Sequence, residues 1–175
     1  MAFANPQENL RYLEIESGMT VVDLGAGVGA YTLPIAEKLM PNGKVYAVEI
    51  QKDFLETITR EAKQKGLDNV EIIWGDIEQN NGVSLADGLA DRVLIANVLF
   101  QAKSAYVLAT EAKRLLKSGG KIMVIDWLDS FGGLGPKEQD VAKPEEIKNI
   151  FGSAGLILEK EFSAGEHHYG LIFGK

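Results

Sequence analysis

Short, continuous apolar runs alternate along this chain with stretches whose apolar residues fall at helical spacing. The runs at 19–24, 44–50, 70–74, 92–96 and 121–127 read as strands. The run at 92–96 is unbroken, as expected of a strand covered on both faces. Between the runs, residues 31–40 (Leu33, Ile35, Ala36, Leu39), 52–65 and 102–117 read as amphipathic helices. Pro41-Asn42-Gly43, Gly66 and Ser118-Gly119-Gly120 stop them. A short helix over 6–14 is capped by Asn5, with Pro6 in its first turn. Pro144 opens a last helix that ends near Gly155, and strands at 156–162 and 169–173 close the chain around a tight connection at Ala164-Gly165. Alternating strands and helices imply a parallel sheet with right-handed crossovers. A terminal hairpin can add only an antiparallel strand. The pattern therefore predicts an α/β three-layer sandwich around a seven-stranded mixed sheet, with the last strand antiparallel.

Composition narrows the classes. A chain of 175 residues, 46% hydrophobic, suits one domain spanning 1–175. The absence of cysteine excludes disulfides, thiolate zinc sites and a cysteine nucleophile, and no metal site is expected. No apolar run has the length of a membrane span, so no membrane association is expected. The opening Met1-Ala2-Phe3-Ala4-Asn5-Pro6 lacks the basic start and apolar core of a signal peptide, which points to the cytoplasm. A formal net charge of −7 argues weakly against nucleic acid as a partner, because phosphate neutralisation needs a basic face. The basic clusters, Lys63-Gln64-Lys65 and Lys113-Arg114 with Lys117, lie on amphipathic helices among acidic neighbours and read as solvated faces.

The sharpest chemical feature is Asp23-Leu24-Gly25-Ala26-Gly27-Val28-Gly29, placed between a strand and a helix. Glycines there permit a sharp turn and a close ligand approach, and the helix start offers unpaired N–H groups to a carboxylate or phosphate. The second strand ends in Glu49-Ile50, whose carboxylate suits two ribose hydroxyls. The third leads into Gly75-Asp76-Ile77, an acid for an adenine amino group beside an apolar residue for its ring. Asn97 ends the fourth strand. All lie at the carboxyl ends of parallel strands, where open α/β sheets bind ligands. Asp23 has a second reading, in which it only holds the loop through backbone N–H groups.

Gly25, Gly27 and Ala30 also have the spacing of a dinucleotide fingerprint, so an NAD(P)-binding oxidoreductase is a rival reading. Three features point elsewhere: the charge of Asp23 just before the first glycine, the extra Gly29, and the terminal hairpin. Asp23 to Gly29 resembles the first motif of class I S-adenosylmethionine-dependent methyltransferases. Val45-Tyr46-Ala47-Val48-Glu49 is similar to their second-strand motif, and Gly75-Asp76-Ile77 to their adenine-side motif. Leu115-Leu116-Lys117-Ser118-Gly119-Gly120-Lys121 resembles their turn before the fifth strand, with Ser118 where proline is common. The resemblance runs from about Leu10 to the C-terminus, nearest to the small-molecule branch with the ubiquinone and menaquinone biosynthesis enzymes. It implies a Rossmann-like fold and S-adenosylmethionine as cofactor. It places Gly25, Ala26, Gly27 and Asn97 by the methionine part, Glu49 on the ribose, and Asp76 with Ile77 on the adenine. Tyr31 either closes over the cofactor or packs helix on sheet.

Methyl transfer is an in-line displacement, so the protein mainly aligns the reactants, and a base is needed only for a proton-bearing nucleophile. Base candidates at the carboxyl edge are Asp126, His168 and Tyr169, with His168 served by Asp126 or Tyr169 as neighbour. The alternative is that His167 and His168 are only polar hairpin residues. Trp127 and Phe131 form either an aromatic substrate wall or ordinary packing. Asn97-Val98-Leu99-Phe100 lacks the double proline common in enzymes that methylate planar amines, which disfavours a nucleobase amine or glutamine. The long connection 128–143, with Gly132, Gly133, Gly135 and Pro136, reads as a substrate cover using Phe131 and Leu134. The N-terminal segment offers only one covering helix, with Phe3, Leu10 and Tyr12. A small-molecule substrate fits best. A macromolecular substrate reached with a partner protein, and a cofactor-binding module acting through a partner, stay open. A free sheet edge or the N-terminal helix would support a homodimer.

Overall fold

In the computed structural model, which describes residues 4–175, the strand and helix segments assemble around one sheet. The elements are α1 (Pro6–Asn9), β1 (Thr20–Leu24), α2 (Thr32–Leu39), β2 (Lys44–Glu49), α3 (Lys52–Lys65), β3 (Val70–Trp74), β4 (Ala90–Ala96), α4 (Ala105–Leu115), β5 (Leu116–Trp127), α5 (Pro144–Ser153), β6 (Ile157–Gly165) and β7 (His168–Gly174). The sheet order is β3-β2-β1-β4-β5-β7-β6, and β7 alone runs antiparallel, between β5 and β6. This is the expected seven-stranded mixed sheet.

Two apolar layers cover the sheet. On one face, Leu108, Ala112 and Leu115 of α4 and Ile147 and Phe151 of α5 pack on Val22, Val93, Ile95, Val124, Leu171 and Phe173. On the other, Leu10, Leu13 and the α2 residues Ile35, Ala36 and Leu39 pack on Val21, Leu94, Met123 and Ile172. Ile58 of α3 packs nearby on Ala47. Consecutive strand residues therefore serve opposite layers. The edge strands β3 and β6 are only partly covered, and Trp74 is 60% exposed.

Local chemistry sets several boundaries. Asn5 caps α1 through Gln7 N (3.0 Å). The helix expected over 6–14 is nevertheless shorter. Arg92 Nε donates to Leu13 O (2.7 Å) and Arg92 Nη2 to Glu14 O (3.3 Å), and Glu14 turns left-handed at φ 52°. The Leu13 and Glu14 carbonyls thus serve a distant arginine, and Leu10 O accepts from Leu13 N in a tighter turn (3.3 Å). Phe3 lies outside the described residues. Ser104 caps α4 through Val107 N (3.3 Å), which moves that helix's start inward from 102. The Ser118-Gly119-Gly120 stop lies within β5, at an irregularity where Ala90 pairs with Leu116 and Arg92 with Lys121. Ala164 and Gly165 belong to β6, so the β6–β7 turn falls on Glu166 and His167.

The basic clusters are largely spoken for. Lys65 pairs with Glu37 (2.8 Å), Lys117 with Asp91 (2.7 Å), and Arg114 with Glu111 (2.7 Å) and Asp87 (2.6 Å). No helix among the described residues is long and apolar enough to cross a membrane.

Candidate active site

A cavity of about 510 Å³ opens at the carboxyl ends of β1, β2, β3 and β4. Asp23, Gly25, Ala26, Gly27, Tyr31, Glu49, Ile50, Gly75, Asp76, Ile77 and Asn97 all line it. Sequence reading thus brings together, on one wall system, residues drawn from four strand ends. Gly29 is not among the lining residues.

The turn after β1 is built by hydrogen bonding to its neighbour. Gly25 N and Ala26 N both donate to Val48 O, at 2.9 and 3.0 Å. Gly25 has φ +79°, and a Cβ on it would lie 2.6 Å from Val98 Cγ2. Both the backbone conformation and the close approach of the loop after β4 therefore require glycine. Glu49 then ties the turn to β2. Its Oε2 accepts from Gly27 N (3.0 Å), and its Oε1 accepts from Ile50 N (2.8 Å) and Gln51 N (2.9 Å). A carboxylate has about four acceptor positions, so Glu49 keeps capacity for a ligand hydroxyl.

Asp76 is held by Glu78 N on Oδ1 (2.9 Å) and by Gln79 Nε2 on Oδ2 (2.8 Å). Asp23 is buried and accepts from Thr32 Oγ1 (2.6 Å), which joins the end of β1 to the start of α2. Burial raises the Asp23 carboxyl to about 6; the Thr32 hydroxyl opposes this and the negative charge of Glu49 adds to it. Asp23 therefore braces the loop through the Thr32 hydroxyl, where backbone N–H groups were expected, and it also lines the cavity.

Asn97 is the most unusual of the lining residues. It turns left-handed at φ 56°, its N–H donates to Ile125 O (2.8 Å), and its buried Oδ1 has no protein partner. An orphaned buried acceptor in a cleft asks for a donor such as an ammonium group. Tyr31 sits under the N-terminal turn, where Asn9 Nδ2 donates to its hydroxyl (3.1 Å) and to Ala164 O (3.0 Å). Tyr31 packs in the core layer and also lines the cavity. Strand-end reasoning missed Phe54, Val98, Gln101 and Lys103, which also line the cavity. Three of them follow Asn97 within one loop, so extending the reading past the strand end would have found them.

The three base candidates lie elsewhere, and the sheet divides them. None is among the cavity-lining residues. Asp126 is fully buried; its Oδ2 accepts from Leu99 N and its Oδ1 from Trp127 N, both at 2.8 Å. Burial lifts its carboxyl to about 6 against the pull of these backbone donors. Its visible work is to fasten the 3₁₀ turn Leu99–Gln101 that follows Asn97. Tyr169, paired with Asp126 across the β5–β7 ladder, donates its hydroxyl to Ala142 O (2.8 Å), and burial raises its pKa. His168 faces the opposite layer and packs against Trp127, with ring centroids 4.3 Å apart. The expected pairing of His168 with Asp126 or Tyr169 is therefore absent, because adjacent strand residues point to opposite faces.

The fold and the strand-end cavity can be set beside known proteins. The family described as Methyltransferase domain matches residues 15–155. The chain belongs to this family. Among similar curated proteins of the methyltransferase class, the demethylmenaquinone methyltransferase of Geobacillus sp. (strain WCH70) is 24% identical over 120 residues, covering 69% of this chain and 50% of that protein. The protein-L-isoaspartate O-methyltransferase of Methanothermobacter thermautotrophicus is 30% identical over 119 residues, covering 68% of this chain and 51% of that protein. The chain spans about half the length of these relatives. A solved SAM dependent methyltransferase from Aquifex aeolicus superposes with a TM-score of 0.87 at 25% identity, over 97% of this chain and 88% of that one. The geranyl diphosphate C-methyltransferase of Streptomyces coelicolor A3(2), solved with S-adenosyl-L-homocysteine, shares the fold at a TM-score of 0.81 and 13% identity, over 98% and 79% of the two chains. Family and topology together make this a class I methyltransferase domain, and they weigh against the oxidoreductase reading.

Proposed function

We propose that this methyltransferase domain binds S-adenosylmethionine in the strand-end cavity and transfers its methyl group to a small-molecule acceptor. The observation that carries the reading is the convergence of Glu49, Asp76 and the orphaned Asn97 Oδ1 on one cavity beside the Gly25–Gly27 turn. Glu49 accepts from a ribose hydroxyl on the free position of Oε2, Asp76 and Ile77 receive the adenine, and Asn97 accepts from the ammonium of the methionine tail. The bound cofactor supplies an already activated methyl group. The negative charges of Asp23 and Glu49 favour a ligand carrying positive charge. Asp126 positions the Leu99–Gln101 turn by accepting from its backbone, and so shapes the cavity wall without touching the ligand.

Titration calorimetry with S-adenosylhomocysteine and, separately, NAD tests this reading. Tight binding of the first and none of the second is expected; the reverse selects the oxidoreductase. The chain's half-length match keeps a partner-dependent reading in view. Methylation of small-molecule pools by the protein alone supports the proposal, whereas activity only after adding cell extract selects the partner-dependent form. We read residues 1–175 as one domain and, from the cysteine-free composition, place it in the cytoplasm. A homodimer through an open sheet edge is the proposed assembly, with sedimentation velocity as its test.

A further inference from the structure

The sheet has two outer strands, and the fold protects them differently. At β6 the ladder is irregular between Leu158 and Lys160 and again between Ser163 and Gly165, and the strand carries Glu159, Lys160 and Glu161. Bulges and mid-strand charges blunt an edge against further pairing. β3 has neither defence. It pairs with β2 from Val45↔Val70 to Glu49↔Trp74 without irregularity, and it reads Val-Glu-Ile-Ile-Trp. The charge of Glu71 is already met by Lys44 (2.8 Å).

Half of the β3 backbone is unspent. Val45 N donates to Asn69 O (3.0 Å) and Gly75 N to Glu49 O (3.3 Å), which fixes the alternation of the parallel ladder. Glu71 and Ile73 therefore turn their N–H and C=O groups to β2, while Val70, Ile72 and Trp74 turn theirs outward. The side chains of these three residues share the α3 face of the sheet. There Val70 and Ile72 floor a groove of about 390 Å³, walled by Thr59, Ala62, Lys63 and Gly66 along α3. Trp74 is 60% exposed, yet its indole is held in place: Nε1 donates to Ile50 O (2.9 Å), and Lys52 Nζ lies 6.0 Å from the ring centre. An aromatic face that is exposed and already ordered costs little to bring into an interface.

We propose that the β3 edge is taken by the β3 of a second copy of this chain, added antiparallel about a two-fold axis at Ile72. The inference rests on the homodimer reading and names its edge and register. In this register Ile72 opposes Ile72 of the second copy, and Val70 opposes its Trp74. The residues with outward backbone groups thus meet as pairs that exchange both hydrogen bonds, and the two sheets become one. Each exposed indole covers the Val70 end of the other copy's groove. Glu71 opposes Ile73, so no like charges meet. A two-fold at Lys160 of β6 would instead set lysine against lysine and Glu159 against Glu161. The two α3 helices run antiparallel across the joined sheet, with the axis near Thr59. Exposed Glu56 of one copy then comes level with exposed Lys63 of the other, a complementary pair.

The chain has no cysteine, so a single introduced thiol reports the register without background. Ile72→Cys places two thiols across the axis on residues whose Cα atoms lie about 5.5 Å apart, within disulfide reach. Mild oxidation of the whole chain should give a covalent dimer. Ile157→Cys is the control on β6, at a side chain 71% exposed, and should stay monomeric under the same oxidant. Sedimentation velocity from about 1 to 200 µM should show a reversible dimer whose Kd rises at least about tenfold in Trp74→Lys and is unchanged in Ile157→Lys. Equal crosslinking of the two cysteine variants, or a dimer untouched by Trp74→Lys, overturns the β3 edge while the homodimer stands. Crosslinking of Ile72→Cys only to other proteins in a lysate overturns the second copy as occupant. A monomer at every concentration overturns the homodimer itself, and S-adenosylhomocysteine binding reports separately on the cofactor reading.

Discussion

Replacing Glu49 with glutamine tests the cofactor cradle most directly. In the folded protein Oε2 faces Gly27 N at 3.0 Å, while Oε1 faces Ile50 N and Gln51 N at 2.8 and 2.9 Å. The carboxylate thus holds the glycine turn with one oxygen and the start of α3 with the other. Glutamine retains one acceptor oxygen and turns the other position into a donor, so it can serve only one side. If the ribose 2′-hydroxyl donates to the free position on Glu49 Oε2, the substitution removes one hydrogen bond to a charged group, about 1.5–3 kcal/mol. That corresponds to a roughly ten- to 150-fold weaker Kd for S-adenosylhomocysteine. Calorimetry reads this directly, and a thermal melt without ligand reports the separate loss of the bond to the turn. The decisive comparison is the 2′-deoxy form of the ligand, from which one partner hydroxyl is missing. The penalty of Glu49→Gln should shrink on that ligand, because the two changes remove the same bond. An equal penalty on both ligands, or an unchanged Kd with S-adenosylhomocysteine, would refute the reasoning.

Other substitutions separate binding from support. Gly27→Ala meets nothing within 4 Å in the protein, whereas Gly25→Ala meets Val98 at 2.6 Å. Both glycines have a left-handed φ, +53° at Gly27 and +79° at Gly25, so denaturant unfolding should show Gly27→Ala losing about 1 kcal/mol of stability and Gly25→Ala, which adds the clash, about 1–3 kcal/mol, while calorimetry shows Gly27→Ala losing cofactor affinity. Tyr169→Phe removes the bond to Ala142 O (2.8 Å) and should cost about 1 kcal/mol of stability with kcat intact; a large fall in kcat would restore Tyr169 as a base. Asp23 has a folded pKa raised from 3.8 to about 6, so the folded state holds the extra proton inside that window. Its contribution to stability therefore increases as pH falls from about 6 to 3.8 and is lost as pH rises through about 6, and Asp23→Asn should flatten this slope in denaturation at stepped pH. Binding of a cationic cofactor should weaken over the same fall in pH, as Asp23 loses its charge.

How much of this was legible beforehand depended on whether the deciding interaction was local. The strands and the glycine turn were readable because apolar runs and small residues report directly on burial and backbone conformation. Gly25 to Asn97 could be assembled into one cavity because a parallel sheet forces its carboxyl ends onto one edge. The end of α1 was not readable, since it is set by Arg92, a residue far along the chain whose guanidinium takes the Leu13 and Glu14 carbonyls. The same is true of the start of α4, where a single Ser104 hydroxyl outweighs a helical pattern that continues before it.

The base candidates failed to meet for a different reason, and one that the sequence did contain. Asp126, His168 and Tyr169 share an edge, but an edge has two faces. His168 and Tyr169 are consecutive in β7, so one must point toward the α4–α5 layer and the other toward the α2 layer. Register then decides the company each keeps: Tyr169 opposes Asp126, and His168 opposes Trp127. The first pair is consumed by backbone partners, Ala142 O for the phenol and Leu99 N and Trp127 N for the carboxylate. The second pair has aromatic surface and unspent nitrogens. Strand parity therefore separates a pair that fastens loops through hydrogen bonds from a pair that packs ring on ring, so a shared edge alone could not assemble the three side chains into one group.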